Sequence, residues 1–452
     1  MKTLSASSFA LFGAALIAIS YGLARFAFGL FVPPIRDELG LTPYAVGLIG
    51  ALPLISFIAA TLLAPLIADR FGARATAVLS GAFGVAGLAM ISQAASALTL
   101  GVGVFACGIC TGLMMPALTA AMQALVKRSL HGRVSSVMNA GTSVGLIAAV
   151  PAILFLAGAW RFAYASFAVL AALGMVAAWF MLPSVSPVVP AAAAPPTPIS
   201  AAQWSRLFRL SVFAFLMGFV SASYWLFAPD LVVTLGALPP GQSGLLWVGV
   251  GLAGLGGAVV ADVADRNNPP VTHALMLMML CASLTLLAAS PGELALAAFS
   301  SLVFGMAYMS LTGLYLMTGI RLLTGRMAMG PVLPFIAVAL GQAVGSPVVG
   351  ALVDAGGFAN AFSTFAAIGI VVAMLSPLYP RYLEAELEAE PEPELETGLQ
   401  AAYDYQLLDE EGEPFSYAAA AADAESEAEA DIEFASIDPR PVFEPVEDDR
   451  ER

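Results

Sequence analysis

The stretch SFALFGAALIAISYGLARFAFGLFV, residues 8–32, contains a single charged residue, Arg25. A helix needs about 20 mostly apolar residues to cross the hydrocarbon layer of a membrane, so this stretch predicts a transmembrane helix. A basic side chain at the bilayer centre costs about 2.5–3.5 kcal/mol on insertion scales and is usually kept for a partner or a ligand. Arg25 is the only basic residue that the sequence places well inside a predicted span, so it is the first candidate for a functional residue.

The rest of the chain repeats this apolar character. Hydrophobic residues make up 59% of the sequence and charged residues 11%, a composition typical of membrane proteins. Twelve segments are long and apolar enough to span a bilayer. They lie at about residues 8–32, 43–68, 74–93, 97–126, 133–158, 160–182, 207–235, 241–263, 272–289, 293–322, 327–353 and 358–379. The predicted fold class is therefore an all-α membrane protein with twelve transmembrane helices.

The basic residues between these spans predict the orientation. If both termini are cytoplasmic, the cytoplasmic segments carry twelve Lys and Arg residues, and the opposite loops carry only Arg36 and Arg161. Such an excess marks the cytoplasmic side of membrane proteins. The low ratio of Lys to Arg and the short outer loops favour the inner membrane of a bacterium. We therefore predict a multi-pass inner-membrane protein with both termini in the cytoplasm.

Composition also predicts the domain boundaries. A Pro/Ala-rich cytoplasmic linker at residues 183–206 separates a first six-helix bundle, residues 1–182, from a second, residues 207–380. The net charge of −14 comes from the end of the chain, because the last 69 residues hold 24 of the 32 acidic residues. With few apolar groups to bury, residues 381–452 are predicted to form a disordered cytoplasmic tail.

The two predicted bundles resemble each other at a nearly constant offset. The matching pairs are Pro33 with Pro229, Gly40 with Gly236, Pro43 with Pro239, Asp69-Arg70 with Asp265-Arg266, Gly141 with Gly341, and Gly145 with Gly345. A parallel repeat of six helices places a substrate site between the two bundles, near the middle of the membrane. By this symmetry Arg25 lies opposite Ser221 of the seventh span.

The loop after the second span, LAPLIADRFGAR at residues 63–74, identifies a family resemblance. It resembles the signature of the major facilitator superfamily (MFS), in which a Gly precedes Asp-Arg-x-Gly-Arg. The matching residues are Asp69, Arg70, Gly72 and Arg74, whereas Pro65 replaces the leading glycine. The second copy, ADVADRNN, keeps Asp265 and Arg266 but lacks the glycines.

Three further segments resemble the same family. Residues 131–145, HGRVSSVMNAGTSVG, and residues 339–357, ALGQAVGSPVVGALVDAGG, look like its fifth and eleventh spans. Residues 21–42, YGLARFAFGLFVPPIRDELGLT, resemble a bacterial subgroup whose substrates are poorly assigned.

The resemblance implies two pseudo-symmetric six-helix bundles that rock about a central site. It also implies a gating role for the Asp-Arg loops, which lock the bundles in one state through charge–helix contacts. The gating candidates are Asp69, Arg70, Gly72, Arg74, Asp265 and Arg266.

The predicted central cavity has an unusual charge. No carboxylate falls at mid-depth in the predicted spans, whereas Arg25 is permanently charged. A guanidinium can bind a carboxylate through two parallel hydrogen bonds, so the sequence favours a small anionic substrate with Arg25 as its anchor. Two structural alternatives remain: Arg25 pairs with an acid such as Asp230, or its side chain extends toward the membrane surface. The other candidates for lining residues are Tyr21, Ser221, Tyr224, Trp225, Tyr308, Thr312, Tyr315 and Gln342.

The leading functional hypothesis is a secondary active or facilitative transporter of a small organic anion, working by alternating access. Its expected partners are the lipid bilayer and a small-molecule substrate, with no nucleic acid, and it is expected to be a monomer. One alternative is an exporter of amphipathic or drug-like compounds, and another is a membrane sensor or scaffold that transports nothing. An enzyme is not expected, because no nucleophile–base pair or metal-ligand cluster stands at a recognisable spacing in the spans. No catalytic residue, metal or cofactor is predicted.

Overall fold

The computed structural model describes residues 5–184, 199–265, 268–323 and 329–380, and within these ranges the regular structure is entirely helical. The helices are α1 (Ala6–Ile17), α2 (Ala27–Leu39), α3 (Pro43–Ser92), α4 (Ala97–Leu125), α5 (His131–Leu156), α6 (Trp160–Met181), α7 (Ala201–Thr234), α8 (Gly244–Asp265), α9 (Pro269–Ala289), α10 (Leu294–Leu322) and α11 (Met329–Met374). A π-helical segment, Ala18–Phe26, joins α1 to α2, so residues Ala6–Leu39 form one continuous span.

The helix α3 folds back on itself at Gly72. Ser56 donates a hydrogen bond to the carbonyl of Phe105 at 2.7 Å, and a Cβ atom on Gly87 would lie 2.7 Å from the sulfur of Cys107. Ser56 and Gly87 would be about 46 Å apart in a straight helix, yet both lie against the same turns of α4. Between them Gly72 has φ 80° and ψ 167°, a conformation essentially confined to glycine. The helix α3 therefore consists of two limbs that run in opposite directions.

The helix α11 reverses in the same way at Gly357. A Cβ atom on Gly345 would lie 2.6 Å from the carbonyl oxygen of Phe219, and the ring of the same Phe219 stacks on Phe365 at 4.9 Å. Gly345 and Phe365 would be about 30 Å apart in a straight helix. Gly357, with φ 81° and ψ 169°, supplies the reversal between them.

The helices have the length and hydropathy of membrane spans. Nine helical stretches in the described ranges are long and apolar enough to cross a bilayer. Two of the nine are the folded-back helices α3 and α11, each with two limbs. The count of twelve spans remains a prediction. It is reached if α3 and α11 are each counted as two spans and α8 is added to the others.

Pairs of glycines bring the first and fifth spans together, and the seventh and eleventh. A Cβ atom would lie 2.2 Å from the carbonyl oxygen of Ala14 if built on Gly141, and 2.4 Å from that of Ala18 if built on Gly145. In the second half of the chain, Gly341 and Gly345 stand in the same relation to the carbonyls of Phe215 and Phe219, at 1.9 and 2.6 Å. Small residues allow this approach between membrane helices. The repeat seen in the sequence is therefore a repeat of helix packing.

The predicted boundaries hold only in part. The seventh helix begins at Ala201 rather than at residue 207, so the last six residues of the predicted linker are helical. The reason is a capping box, in which Ser200 and Gln203 satisfy each other's backbone N–H groups. The split into two six-helix domains stays a prediction, because residues Met1–Tyr382 group as one compact unit. The predicted tail, residues 381–452, and most of the linker lie outside the described residues.

The first and second halves of the chain meet at the end of the helices where Gly357 lies, here called the Asp354 end. The backbone N–H of Tyr44 donates to the carboxylate of Asp354 at 2.9 Å. At the same end Arg36 of α2 binds Asp230 of α7 at 2.7 Å. The opposite end, where α3 reverses at Gly72, is called the Asp69 end.

We predict that Gly145→Ala lowers the apparent melting temperature of the protein in detergent by several degrees. The added Cβ would overlap the backbone of Ala18 and Gly22, and overpacking of this kind costs about 1–3 kcal/mol. The control is Gly132→Ala on the same helix, because a Cβ on Gly132 meets no atom within 4 Å. Equal melting temperatures for the two variants would show that the close glycine contact is not required.

Candidate functional site

Arg25 stands near the end of the π-helical segment Ala18–Phe26. Neighbouring helices hold this segment at three points. Thr111 donates to the carbonyl of Ser20 at 3.1 Å, the indole N–H of Trp247 donates to the carbonyl of Phe26 at 3.2 Å, and Gly22 packs directly on the backbone of Gly145. π-Helical turns are rare and often occur at functional sites. The segment therefore places Arg25 with a local geometry that differs from an α-helix.

The Arg25 side chain is buried, with 9% of the residue exposed. Its guanidinium lies over the ring of Phe57, 4.6 Å from the centroid, and 5.1 Å from that of Phe26. Aromatic faces attract a cation, but only in part replace the hydrogen bonds that it makes in water. The Nη1 atom is buried and has no hydrogen-bond partner among the described residues. Buried polar groups almost always have a partner, so this one requires an explanation.

A small cavity of about 50 Å³ lies beside the guanidinium. Its walls come from both halves of the chain: the π-helical segment, α2 and α3 on one side, and α7 and α11 on the other. The lining residues are Arg25, Phe26, Phe28, Gly29, Gly50, Pro53, Leu54, Ala222, Trp225, Leu226, Gln342 and Ser346. A water molecule needs about 10–15 Å³ of such space, so the cavity holds a group of roughly three to five heavy atoms.

Trp225 contributes a second donor to this cavity. Its buried indole N–H lies beside the hydroxyl of Tyr308 but does not form a hydrogen bond of ordinary geometry with it. The ring packs against Phe26 at 4.5 Å and against Tyr308 at 5.2 Å between centroids. An indole N–H is a donor only, so two donors line the same cavity, and one of them is cationic and has no partner.

Gln342 links the remaining polar side chains of the second half. Its amide nitrogen donates to the hydroxyl of Tyr308 at 3.1 Å and to Ser221 at 3.4 Å. Ser221 itself donates to the carbonyl of Gly218 at 2.9 Å. Tyr21 lies four positions before Arg25 in the same π-helical segment, and both residues are buried. The structure thus brings together the predicted residues Arg25, Tyr21, Ser221, Trp225, Tyr308 and Gln342.

Three predicted residues have other surroundings. The hydroxyl of Tyr224 hydrogen-bonds to Ser300 at 3.0 Å, inside the second half. The hydroxyl of Tyr315 forms a hydrogen bond with Nε2 of His273 at 2.9 Å. Thr312 donates to the carbonyl of Tyr308 one turn before it, at 2.8 Å. None of these three lines the cavity beside Arg25.

Asp230 is not the partner of Arg25. Its carboxylate is fully buried and binds Arg36 at 2.7 Å and Thr234 at 3.2 Å. The sequence did not indicate this pair, because Arg36 and Asp230 are 194 positions apart. The alternative in which Arg25 pairs with Asp230 is therefore not the arrangement in this structure.

The sequence analysis also missed Phe57 and Ser346. Phe57 gave no signal, because it is an apolar residue in an apolar span. The signal for Ser346 was available, because it follows Gln342 by four positions and so lies on the same helix face.

Comparison with known proteins agrees with this architecture. The family model described as Major Facilitator Superfamily matches residues 14–330. The chain belongs to the Major Facilitator Superfamily. A comparison with curated proteins gives no match.

Solved MFS-type structures share the fold. The nucleoside transporter NupG has a TM-score of 0.68 at 13% identity over 83% of this chain and 100% of its own. A bacterial homologue of the human lysosomal transporter Spinster, inward-facing and occupied, has a TM-score of 0.66 at 13% identity over 82% and 96%. A POT family transporter in complex with 5-aminolevulinic acid has a TM-score of 0.64 at 14% identity over 82% and 96%. At such identities the likeness shows the fold alone.

The residues of the MFS signature lie at the Asp69 end. Asp69 and Arg70 are exposed, and neither forms an ion pair with another described residue. Gly72 forms the reversal of α3, and Arg74 donates to the carbonyl of Leu182 at 2.6 Å. In the second copy, the side chain of Asp265 and the whole of Arg266 lie outside the described part of the chain. The gating role of these residues stays a prediction.

We predict that Arg36 contributes to the stability of the fold and that Arg25 contributes much less. Arg36→Gln should lower the apparent melting temperature far more than Arg25→Gln, because it leaves the buried carboxylate of Asp230 without its cation. Breaking a buried pair in this way costs about 3–5 kcal/mol, whereas Arg25→Gln removes a charge that has no acid beside it. Thermal unfolding of both variants in the same detergent measures the difference. A larger loss for Arg25→Gln would show that Arg25 has a structural partner.

Proposed function

We propose that this protein is a transporter that moves a small organic anion across the membrane by alternating access. The observation that carries the proposal is the buried Nη1 atom of Arg25, which faces a cavity between the two halves without an acceptor. A transporter of this fold binds its substrate between the two halves, near the middle of the membrane. The cavity beside Arg25 is lined by the first span and by α7, its counterpart in the sequence repeat, so it lies between the two halves as such a site would.

The chemistry of the cavity favours an anion over a neutral or cationic solute. Arg25 supplies a permanent positive charge, and the indole of Trp225, which lines the same cavity, supplies a neutral donor. A carboxylate would satisfy both, because its two oxygens accept from several donors at once. In the low-dielectric interior of a protein, such charge-assisted bonds are stronger than they are at a surface. The aromatic faces of Phe26 and Trp225 are left to contact the apolar part of the substrate.

The size of the cavity limits the ligand that the site can hold in this conformation. Space for roughly three to five heavy atoms suits the carboxylate of a small organic acid and little more. The body of a larger substrate would require the halves to move apart.

An exporter of amphipathic compounds is the second candidate. The ring cluster of Phe26, Trp225, Phe304 and Tyr308 around the cavity favours it, since aromatic surfaces bind apolar bodies without regard to their charge. The two functions differ in their dependence on Arg25: anion transport requires the cation, whereas binding of neutral amphipathic molecules does not.

We predict that Arg25→Gln abolishes the uptake of anionic solutes. Purified protein in proteoliposomes, with and without a proton gradient, would be tested against matched anionic, neutral and amphipathic solutes. Arg25→Lys should retain a reduced rate, because an ammonium keeps the charge but loses the planar fork of the guanidinium. Arg161→Gln is the control, since Arg161 binds Glu38 and the carbonyl of Ala94 away from the cavity. Normal uptake of an anion by Arg25→Gln would remove the proposal.

We further predict that Trp225→Phe raises the KM for the transported anion by roughly ten-fold, because the ring remains and only the N–H donor is lost. A hydrogen bond to a charged group contributes about 1.5–3 kcal/mol, and each 1.4 kcal/mol is a factor of ten. Trp204→Phe on the same helix is the control, because Trp204 is exposed and far along the chain from the cavity. An unchanged KM would place the anion away from the indole and favour the amphipathic alternative.

A further inference from the structure

The wall of the cavity that α11 forms carries two polar side chains, those of Gln342 and Ser346. They are four positions apart, so they lie on the same face of the helix. Both residues are buried, with 3% of each exposed. Their existing hydrogen bonds therefore decide which of their polar atoms a ligand in the cavity can use.

The bonds of Gln342 fix the orientation of its side-chain amide. Ser221 donates its only proton to the carbonyl of Gly218 at 2.9 Å, so its oxygen can only accept a further bond. The amide nitrogen of Gln342 is the atom that faces Ser221, and it also donates to the hydroxyl of Tyr308. The amide oxygen, Oε1, accepts no bond from a described residue, yet it is not sealed within the protein. Gln342 thus offers the cavity an acceptor.

Ser346 is left as an acceptor in the same way. Its hydroxyl proton is donated to the backbone carbonyl of Gln342 at 2.8 Å, whereas its oxygen has lone pairs to spare. Oε1 of Gln342 and Oγ of Ser346 are here called the acceptor pair. The guanidinium of Arg25, on the wall from the first half of the chain, is a donor. The cavity therefore has a donor side and an acceptor side.

A plain carboxylate would satisfy only the donor side. It would bind Arg25, but it has no proton to donate to the acceptor pair, and a buried acceptor without a partner costs free energy. A ligand that carries a donor beside its carboxylate would satisfy both sides. Because the cavity has a volume of only about 50 Å³, that donor must be on the carbon atom next to the carboxylate.

The charge of the cavity favours a hydroxyl over an ammonium as this donor. Among the described residues that line the cavity, Arg25 alone is charged. The buried carboxylate of Asp230 is already bound by Arg36. An ammonium group in the cavity would have no counter-ion from the protein and would be repelled by the guanidinium. A hydroxyl donates a hydrogen bond without this cost.

We propose that the substrate is a short 2-hydroxycarboxylate, whose carboxylate binds Arg25 and whose hydroxyl donates to the acceptor pair of α11. The proposal rests on the proposed function and adds the substrate class to it. Arg25 then selects for negative charge, whereas Gln342 and Ser346 select for the hydroxyl. Glycolate, the smallest acid of this class, has the size that the cavity holds, roughly three to five heavy atoms.

The experiment compares glycolate with acetate, which lacks the donor, and with glycine, which replaces the hydroxyl by an ammonium. The apparent melting temperature of the purified protein in detergent is measured against the concentration of each ligand at constant ionic strength. A ligand that binds only the folded protein stabilises it by mass action, so the shift gives the Kd. Glycolate should bind about ten-fold more tightly than acetate, because acetate leaves the acceptors unpaired. Glycine should bind more weakly than either acid.

Two variants locate the acceptors. Gln342→Met keeps the approximate size of the side chain and removes its amide, and Ser346→Ala removes only a hydroxyl. Each should raise the Kd for glycolate about three-fold to ten-fold and leave that for acetate nearly unchanged. Ser283→Ala is the matched control, because Ser283 is also buried and donates to a carbonyl of its own helix, at 2.7 Å, but does not line the cavity. Both Kd values should be unchanged in this control.

The possible outcomes separate this proposal from the proposed function. Equal Kd values for glycolate and acetate, tighter binding of glycine, or a full preference for glycolate in both acceptor variants would overturn the 2-hydroxycarboxylate. If the equal Kd values were both lost in Arg25→Gln, the anion site would stand and only the substrate class would be rejected. Binding that survives Arg25→Gln, or no binding of either acid, would reject the anion site and the substrate class together.

Discussion

The buried guanidinium of Arg25 is the constraint around which the centre of the molecule is arranged. A cation inside a membrane must be offset by partners, and the described surroundings supply aromatic rings and neutral side chains rather than an acid. The rings of Phe57 and Phe26 offset part of the lost hydration. The rest of the hydrogen-bonding capacity is directed at a hollow formed by both halves of the chain. The hydrogen-bonding capacity that stays unsatisfied costs stability, and the same capacity attracts a negatively charged group.

Much of the fold and part of the site could be predicted from sequence, for physical reasons that differ between residues. A lone charge in an apolar stretch marked Arg25, and the repeat placed Ser221 and Trp225 across from it. Gln342 and Tyr308 stood out as polar groups in apolar helices, and they do bond to each other. Hydropathy cannot distinguish a π-helical turn from an α-helical one, so the geometry at Arg25 was not foreseen. Hydropathy also cannot reveal the hydrogen bond from the backbone N–H of Tyr44 to Asp354, because the two residues are 310 positions apart.

The internal repeat is kept in the backbone more than in the side chains. Gly141 and Gly145 approach the first span as Gly341 and Gly345 approach the seventh, although the residues around them differ. Since little hydrophobic force drives helices together within lipid, such close backbone approach supplies the van der Waals contact that holds the helices in place. Function is then free to differ between the halves: the first carries the cation, and the second carries the neutral hydrogen-bonding groups.

The wide helical segment Ala18–Phe26 has a mechanical consequence of its own. A π-helical turn accommodates a surplus residue that an α-helix of the same length would not hold. If that surplus migrated along the span, each side chain it passed would swing round the helix axis by about 100°, the arc that separates neighbours in an α-helix. Because Arg25 lies within this segment, such a shift of the backbone by one residue would turn its guanidinium from one wall of the protein toward another.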